Sequence, residues 1–185
     1  MVIGILALQG AFIEHKYILD NLSVESFEIR KLSDLNKKMS GVILPGGEST
    51  TIGKLLLDLN MFIPLQDKIK NGLPSFGTCA GAILLAKYVE DGTPSLATMD
   101  IKIKRNAYGR QLGSFFTKDK FDDEIIPMSF IRAPLITEVV AGNILATVND
   151  DIVAVKQNNQ LVTTFHPELK TDFVHKYFLN TIVQR

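Results

Sequence analysis

Two apolar runs of strand length end abruptly at glycine, Val2 to Leu8 before Gln9-Gly10 and Gly41 to Leu44 before Pro45-Gly46-Gly47, and each leads into a stretch with helical spacing. A strand that is apolar throughout must be covered on both faces, and a helix between consecutive strands returns the chain so that those strands lie parallel. The rhythm continues across the first half. Ala11 to Leu22 carries apolar residues at Phe12, Tyr17, Ile18 and Leu22, which predicts a helix. Val24 to Arg30 and Pro74 to Gly77 read as strands, and Thr51 to Leu59, Phe62 to Asn71 and Gly81 to Val89 as helices, the middle one closed by Gly72 where a helix C-terminus favours glycine.

The second half changes character. Met99 to Lys104, Gln111 to Thr117, Met128 to Arg132, Ile144 to Val148 and Val153 to Gln157 are short strand candidates on brief polar links, and Asn158-Asn159 predicts a hairpin turn into Gln160 to Phe165. Thr171 to Val183 closes the chain as a helix, with Phe173, Val174, Tyr177, Phe178 and Ile182 on one face. With no repeat and no linker-like segment, the expectation is one α/β domain over residues 1–185. It has three layers: a central, mostly parallel sheet with helices on both faces, extended by antiparallel strands in the second half.

Composition narrows the function classes. The 185 residues carry 20 Lys plus Arg against 20 Asp plus Glu, so nothing in the charge balance favours nucleic acid or an anionic membrane as a partner. No apolar run reaches the roughly 18 residues of a membrane span, and the apolar N-terminus lacks the basic flank of a secretory signal. The single cysteine, Cys79, has no intrachain disulfide partner, which suits a reducing, cytoplasmic setting.

Cys79 sits in Gly77-Thr78-Cys79-Ala80-Gly81, between a strand and a helix. This is the G-x-S-x-G nucleophile elbow with Cys in place of Ser, and the N-terminus of the following helix favours a thiolate. The pentapeptide alone fits a buried structural cysteine equally well. A base would decide it, and the chain has three histidines. His15, between Glu14 and Lys16, and His175, beside Lys176, read as solvated surface positions, as does the whole polar strip from His15 to Lys38. His166 ends an apolar run and precedes Pro167-Glu168; in extended backbone residues two apart share a side, so Glu168 can orient the imidazole. One cysteine and three scattered histidines do not make a metal site.

Pro45-Gly46-Gly47-Glu48-Ser49-Thr50 permits a turn whose backbone N–H groups point outward, as an oxyanion hole requires. A phosphate-binding P-loop fails, because five residues rather than four separate Gly47 from Gly53 and Leu55 follows Lys54 where Ser or Thr is needed. No dinucleotide fingerprint follows the first strand.

Together these stretches resemble the triad-type (class I) glutamine amidotransferases. Arg105 to Gln111, Phe130-Ile131-Arg132-Ala133-Pro134 and Leu6-Ala7-Leu8-Gln9-Gly10-Ala11 narrow the likeness to the glutaminase subunits of pyridoxal 5′-phosphate synthase. The resemblance runs from Gly4 to Glu168. Lys170, where these subunits often have Thr, and Tyr108, where Phe is more usual, depart from it.

The resemblance implies that Cys79 attacks the side-chain amide of L-glutamine, that His166 moves the proton and Glu168 orients His166, and that water hydrolyses the thioester. It implies an oxyanion hole from the N–H groups of Gly47 and Ala80, a glutamine pocket lined by Gly46, Gly47, Glu48, Arg105, Ile131 and Arg132, and no cofactor or metal. Arg105 and Glu48 suit the two charges of a free amino acid. The implied partner is a TIM-barrel synthase subunit that takes up the ammonia, sensed through Gln9 and Gly10. Other readings of the same residues are a cysteine peptidase or chaperone-like relative, a redox-sensing thiol, and a glutaminase serving a purine or chorismate enzyme.

Overall fold

The computed structural model describes residues 1–90, 92–105 and 114–184. Among them twelve strands join in one sheet. Strands β1 (Val2–Leu6), β2 (Glu25–Ile29), β3 (Gly41–Leu44), β4 (Ser75–Thr78) and β12 (Gln160–Thr163) lie in the order β2-β1-β3-β4-β12, all parallel. Beyond β12 the sheet turns antiparallel, through β11 (Asp151–Gln157), β10 (Asn143–Val148), β7 (Ser114–Phe121) and β8 (Glu124–Ile131). Strands β5 (Ala86–Val89), β6 (Met99–Lys104) and β9 (Leu135–Val139) form a side branch that rejoins at β11.

The apolar strands are sandwiched as their composition requires. In β3, Val42 and Leu44 pack into one core with Ile52 and Leu56 of α2 (Ser49–Asp58), Leu65 and Ile69 of α3 (Phe62–Lys70) and the apolar residues of α4 (Ala80–Leu85). Ile43, one residue out of phase, packs into the other core with Leu19 of α1 (Phe12–Asn21) and with Phe178, Leu179 and Ile182 behind α5 (Phe173–Tyr177). This period-two division of one strand between two cores produces the three layers. No helix among the described residues is long and apolar enough to cross a membrane.

Three expectations need correction. The helix over Gly81 to Val89 ends at Leu85, because Ala86 turns extended and β5 pairs in parallel with β6, tied there by the Lys87–Asp100 ion pair. Leu135–Val139, which carries no strand expectation, forms β9 by pairing antiparallel with β6. The C-terminal helix is α-helical only to Tyr177 and widens into a π-type turn over Phe178–Val183. Gly72 follows α3 with φ 101°, and Asn158 opens the hairpin with φ 53°, both as expected. The motif residues Asn106 to Gln111, and the start of the strand expected from Gln111, lie outside the described residues.

Candidate active site

Strand order brings distant motifs together. β3, β4 and β12 are adjacent and parallel, with Leu44 opposite Gly77 and Thr78 opposite Thr163. Their carboxyl ends therefore open on one edge, where the Pro45-Gly46-Gly47 turn, Cys79 and His166 follow. The sheet reverses its winding between β1 and β3, so Gln9-Gly10 borders the same crevice, the usual ligand position in open α/β sheets.

Cys79 has φ 48° and ψ −101°, a strained backbone for a residue with a Cβ. Its N–H donates to Thr163 O at 2.8 Å, and its carbonyl accepts from Ala82 as α4 begins. Gly81 allows so sharp a turn, since a Cβ there would lie 2.0 Å from Leu44 O. Just beyond the neighbouring strand β12 the His166 N–H donates to Ser129 O at 2.8 Å, fixing the backbone that carries the ring. His166 Nδ1 meets Glu168 Oε1 at 2.7 Å, leaving Nε2 for the Cys79 thiol, with which the ring also hydrogen-bonds. Gly46 packs flat against this pair: a Cβ there would come within 2.3 Å of His166 Cε1.

The electrostatics favour a charged imidazole. Burial opposes protonation of His166, but hydrogen bonds to Cys79 and Glu168 and the charge of Glu168 outweigh it, raising its pKa to about 10. A thiol, an imidazole and a carboxylate in line can form a covalent adduct and pass one proton between sulfur and leaving group.

A cavity of about 330 Å³ opens over the thiol, lined by Gln9, Gly47, Glu48, Arg105, Ile131 and Arg132 among others. Glu48 is not a free anion. Its carboxylate caps α2, accepting the N–H and hydroxyl of both Thr50 and Thr51, and these bonds, Thr50's hydroxyl foremost, hold its pKa at about 2. Arg105 Nη2 lies 3.3 Å from both Glu48 Oε1 and Thr50 Oγ1. The cation is thus held at the cavity wall by an anion that is itself locked. A second, more apolar cavity of about 370 Å³ shares Ser49, Ile83 and Arg105 with the first but does not reach Cys79 or His166.

Comparison with known proteins matches the model of the SNO glutamine amidotransferase family over residues 5–184. The chain belongs to that family. It is 58% identical over 185 residues, 98% of each chain, to a protein of Methanocorpusculum labreanum named pyridoxal 5′-phosphate synthase subunit PdxT. A Streptococcus pneumoniae protein of the same name is 57% identical over 187 residues, 97% of each. Among solved structures, a glutamine amidotransferase superposes with a TM-score of 0.93 at 39% identity over the whole of both chains. The PurLQS structure from Thermotoga maritima, at 14% identity, TM-score 0.71 and 97% of each chain, shares the fold.

Of the family-type residues singled out in the sequence, Gln9, Gly47, Glu48, Cys79, Arg105, Ile131, Arg132 and His166 all line the one cavity. Gly46 packs on the His166 ring, Ala80 follows the thiol, Gly10 adjoins Gly46 and Glu168 lies behind His166. Three residues differ from their sequence expectation or carry none. His15 and His175 are not on the surface: both are fully buried and hydrogen-bonded to each other. Their helical spacing held the clue, since His15 shares a face with Ile18 and Leu19, and His175 with Phe178 and Leu179. Thr78 fills an unspecified position of the elbow pattern, yet its hydroxyl accepts the Gly46 N–H at 2.9 Å and ties the glycine turn to the nucleophile strand.

Proposed function

We propose that this chain is the glutaminase subunit of a pyridoxal 5′-phosphate synthase, hydrolysing L-glutamine to glutamate and ammonia. The observation that carries the reading is the Cys79–His166–Glu168 line at the floor of a cavity that also holds Arg105. Sulfur, its proton passed to His166, attacks the side-chain carbonyl carbon, and the charge that develops on oxygen meets the N–H groups of Gly47 and Ala80. His166, protonated at neutral pH, gives its proton to the departing nitrogen, and ammonia leaves behind a thioester. The now neutral imidazole takes a proton from water, which cleaves the thioester to glutamate and restores the thiol. Glu168 keeps the ring oriented through both halves.

Arg105 fits the α-carboxylate of glutamine, its guanidinium held at the cavity wall by Glu48 and Thr50. Glu48, satisfied as a helix cap, serves mainly to hold Arg105 and the start of α2 in place. Gly46, Ile131 and Arg132 complete the pocket walls. Arg105→Ala is expected to raise the KM for glutamine about tenfold or more, the loss of one bond between charged groups, with a smaller effect on kcat. Steady-state glutamate release measures both, and a defect confined to kcat would remove Arg105 from the binding role.

The partner is a TIM-barrel synthase subunit that joins the ammonia to a pentose phosphate and a triose phosphate, in the cytoplasm, where a free thiol persists. Docking switches the glutaminase on through Gln9 and Gly10. Gln9 Oε1 accepts the Glu48 N–H at 2.8 Å, and the Ala11 N–H donates to Gly46 O at 2.9 Å, so this segment grips both ends of the Gly46-Gly47 turn. Reorienting the peptide between the two glycines turns the Gly47 N–H toward or away from the oxyanion, worth roughly 10²–10³ in rate. Glutamate release by the chain at matched concentrations with and without the cognate synthase subunit tests the switch. Equal rates would end the docking idea, and full activation by a purine or chorismate acceptor would reassign the pathway.

A further inference from the structure

The two buried histidines have no part in the chemistry above, yet they abut it. His15 Nδ1 and His175 Nε2 are 2.8 Å apart, and Phe76 packs edge-on against both rings. On its far side His15 Nε2 lies 3.2 Å from Thr78 Oγ1 and 3.7 Å from Glu168 Oε2. Glu168 gives Oε1 to His166, while Oε2 is buried without a hydrogen bond; the other orphaned ring or carboxylate atom of this cluster is His175 Nδ1.

Counting donors fixes the protons. Burial pushes the pKa of His175 down to about 3, against the pull of Asp172. Burial, then the neighbouring His175 and His166, holds His15 well below the ordinary imidazole range. Both rings are therefore neutral near pH 7, each with a single N–H. If His15 donated to His175, the proton of His175 would sit on Nδ1 with no partner, and a bare lone pair of His15 would face the Glu168 carboxylate. A buried unpaired N–H and a lone pair against an anion are both costly. With the His175 proton on Nε2, the orphaned Nδ1 is only an acceptor, and His15 directs its Nε2–H at Thr78 and Glu168.

We propose that His15, keyed into this tautomer by His175, is a positioning residue that acts through Glu168, its Nε2–H holding the Oε2 side of the carboxylate so that Oε1 stays aligned on His166. The 3.7 Å separation closes to a hydrogen bond as the reacting complex tightens. The pair thus does for Glu168 what Glu168 does for His166. Without that donor, half of a buried carboxylate has nothing to stabilise its charge, and it supports the His166 imidazolium less well. The groups facing these rings are Cys79 and Glu168 for His166; His175, His166 and Glu168 for His15; and His15 and Asp172 for His175.

The proposal rests on the glutaminase reading, and two substitutions at one position test it separately. In His15→Asn the amide sits near where Nδ1 was, so it still meets His175 but does not reach Glu168. In His15→Gln the amide reaches the place of Nε2 and can donate to the carboxylate. Two readouts are taken on the full chain: kcat and KM for glutamine with the cognate synthase subunit present, and the ring titration of His166 by nitrogen-15 NMR. His15→Asn is expected to lower kcat about tenfold, the rate equivalent of one hydrogen bond to a charged group, with KM unchanged and the His166 titration moved toward neutral pH. His15→Gln is expected to recover both. If His15→Asn does not fold, His175→Phe, which removes the ring that sets the tautomer, is expected to move the His166 titration in the same direction. Identical behaviour of the Asn and Gln variants, or a His166 titration unmoved by every substitution that lowers thermal stability, would overturn the proposal. A wild-type complex that releases no glutamate would instead sink the glutaminase reading and leave the NMR comparison standing.

Discussion

Cys79→Ala is expected to lower glutamate release by roughly 10⁶-fold, the scale of loss when a triad hydrolase is stripped of its covalent nucleophile. The fold should survive. Cys79 is buried but small, and alanine occupies the same strained φ of 48°, so stability is expected to change by no more than about 1 kcal/mol. Cys79→Gly separates strain from chemistry: equally inactive, it should be more stable than Cys79→Ala by about 1 kcal/mol, because glycine tolerates this backbone conformation. Denaturant melts of the two variants read the difference. An electrophilic glutamine analogue should add one covalent mass, on the peptide containing Cys79. Residual turnover by Cys79→Ala above the uncatalysed rate, or labelling at another residue, would displace Cys79 as nucleophile.

His166→Asn should remove nearly as much activity as Cys79→Ala, since Glu168 faces the imidazole rather than the thiol and no other base among the described residues is in line. Glu168→Gln is expected to lose less, because it keeps a side-chain oxygen for His166 Nδ1 and gives up only the charge. The double variant should be little worse than His166→Asn alone, as residues acting in one relay are far from additive. Additive losses would mean the two do not work together.

The pH dependence carries its own sign. His166 is the acid that protonates departing ammonia, and its pKa is raised to about 10, so the alkaline fall in rate is expected near that pH. Glu168→Gln removes part of what raises it and should bring the fall closer to neutrality. By linkage, the stabilisation His166 contributes is complete below the unfolded imidazole pKa of about 6.5 and is lost as pH rises through about 10. A rate profile and a set of melts across the alkaline range check both statements.

Much of this site is legible along the chain because its constraints are local. Gly46 has to be glycine for the His166 ring to lie against it, and Gly81 for the elbow to clear Leu44, so close packing leaves its mark as glycine at fixed offsets from Cys79 and Glu48. The spacing of His166 and Glu168 is less direct: it reads as one extended step, whereas Pro167–Leu169 form a 3-10 turn, begun by the proline, that brings the carboxylate back to the imidazole. The parallel half of the sheet follows from apolar runs alternating with helical ones, since a doubly covered strand has no use for polar residues.

The rest depended on elements far apart in sequence. Nothing near Lys87 announces that α4 stops at Leu85; the pairing of β5 with β6, more than ten residues later, overrides helical spacing there. Glu48 reads as one of the charges that suit a free amino acid, and it does line the cavity, but its second role as the cap of α2, with the hydroxyls of Thr50 and Thr51 turned toward it, shows only in the structure. His15 and His175, each beside a charged residue, look solvated until α1 and α5 are laid on the same face of the sheet. Short-range chemistry, the turns, caps and side-chain spacings, is written in consecutive residues and could be read from them. Which strand lies beside which, and so which buried polar groups meet, is set by the summed burial of two cores, a property no single segment carries: that is what placed His166 next to Cys79 and hid a pair of histidines behind Glu168.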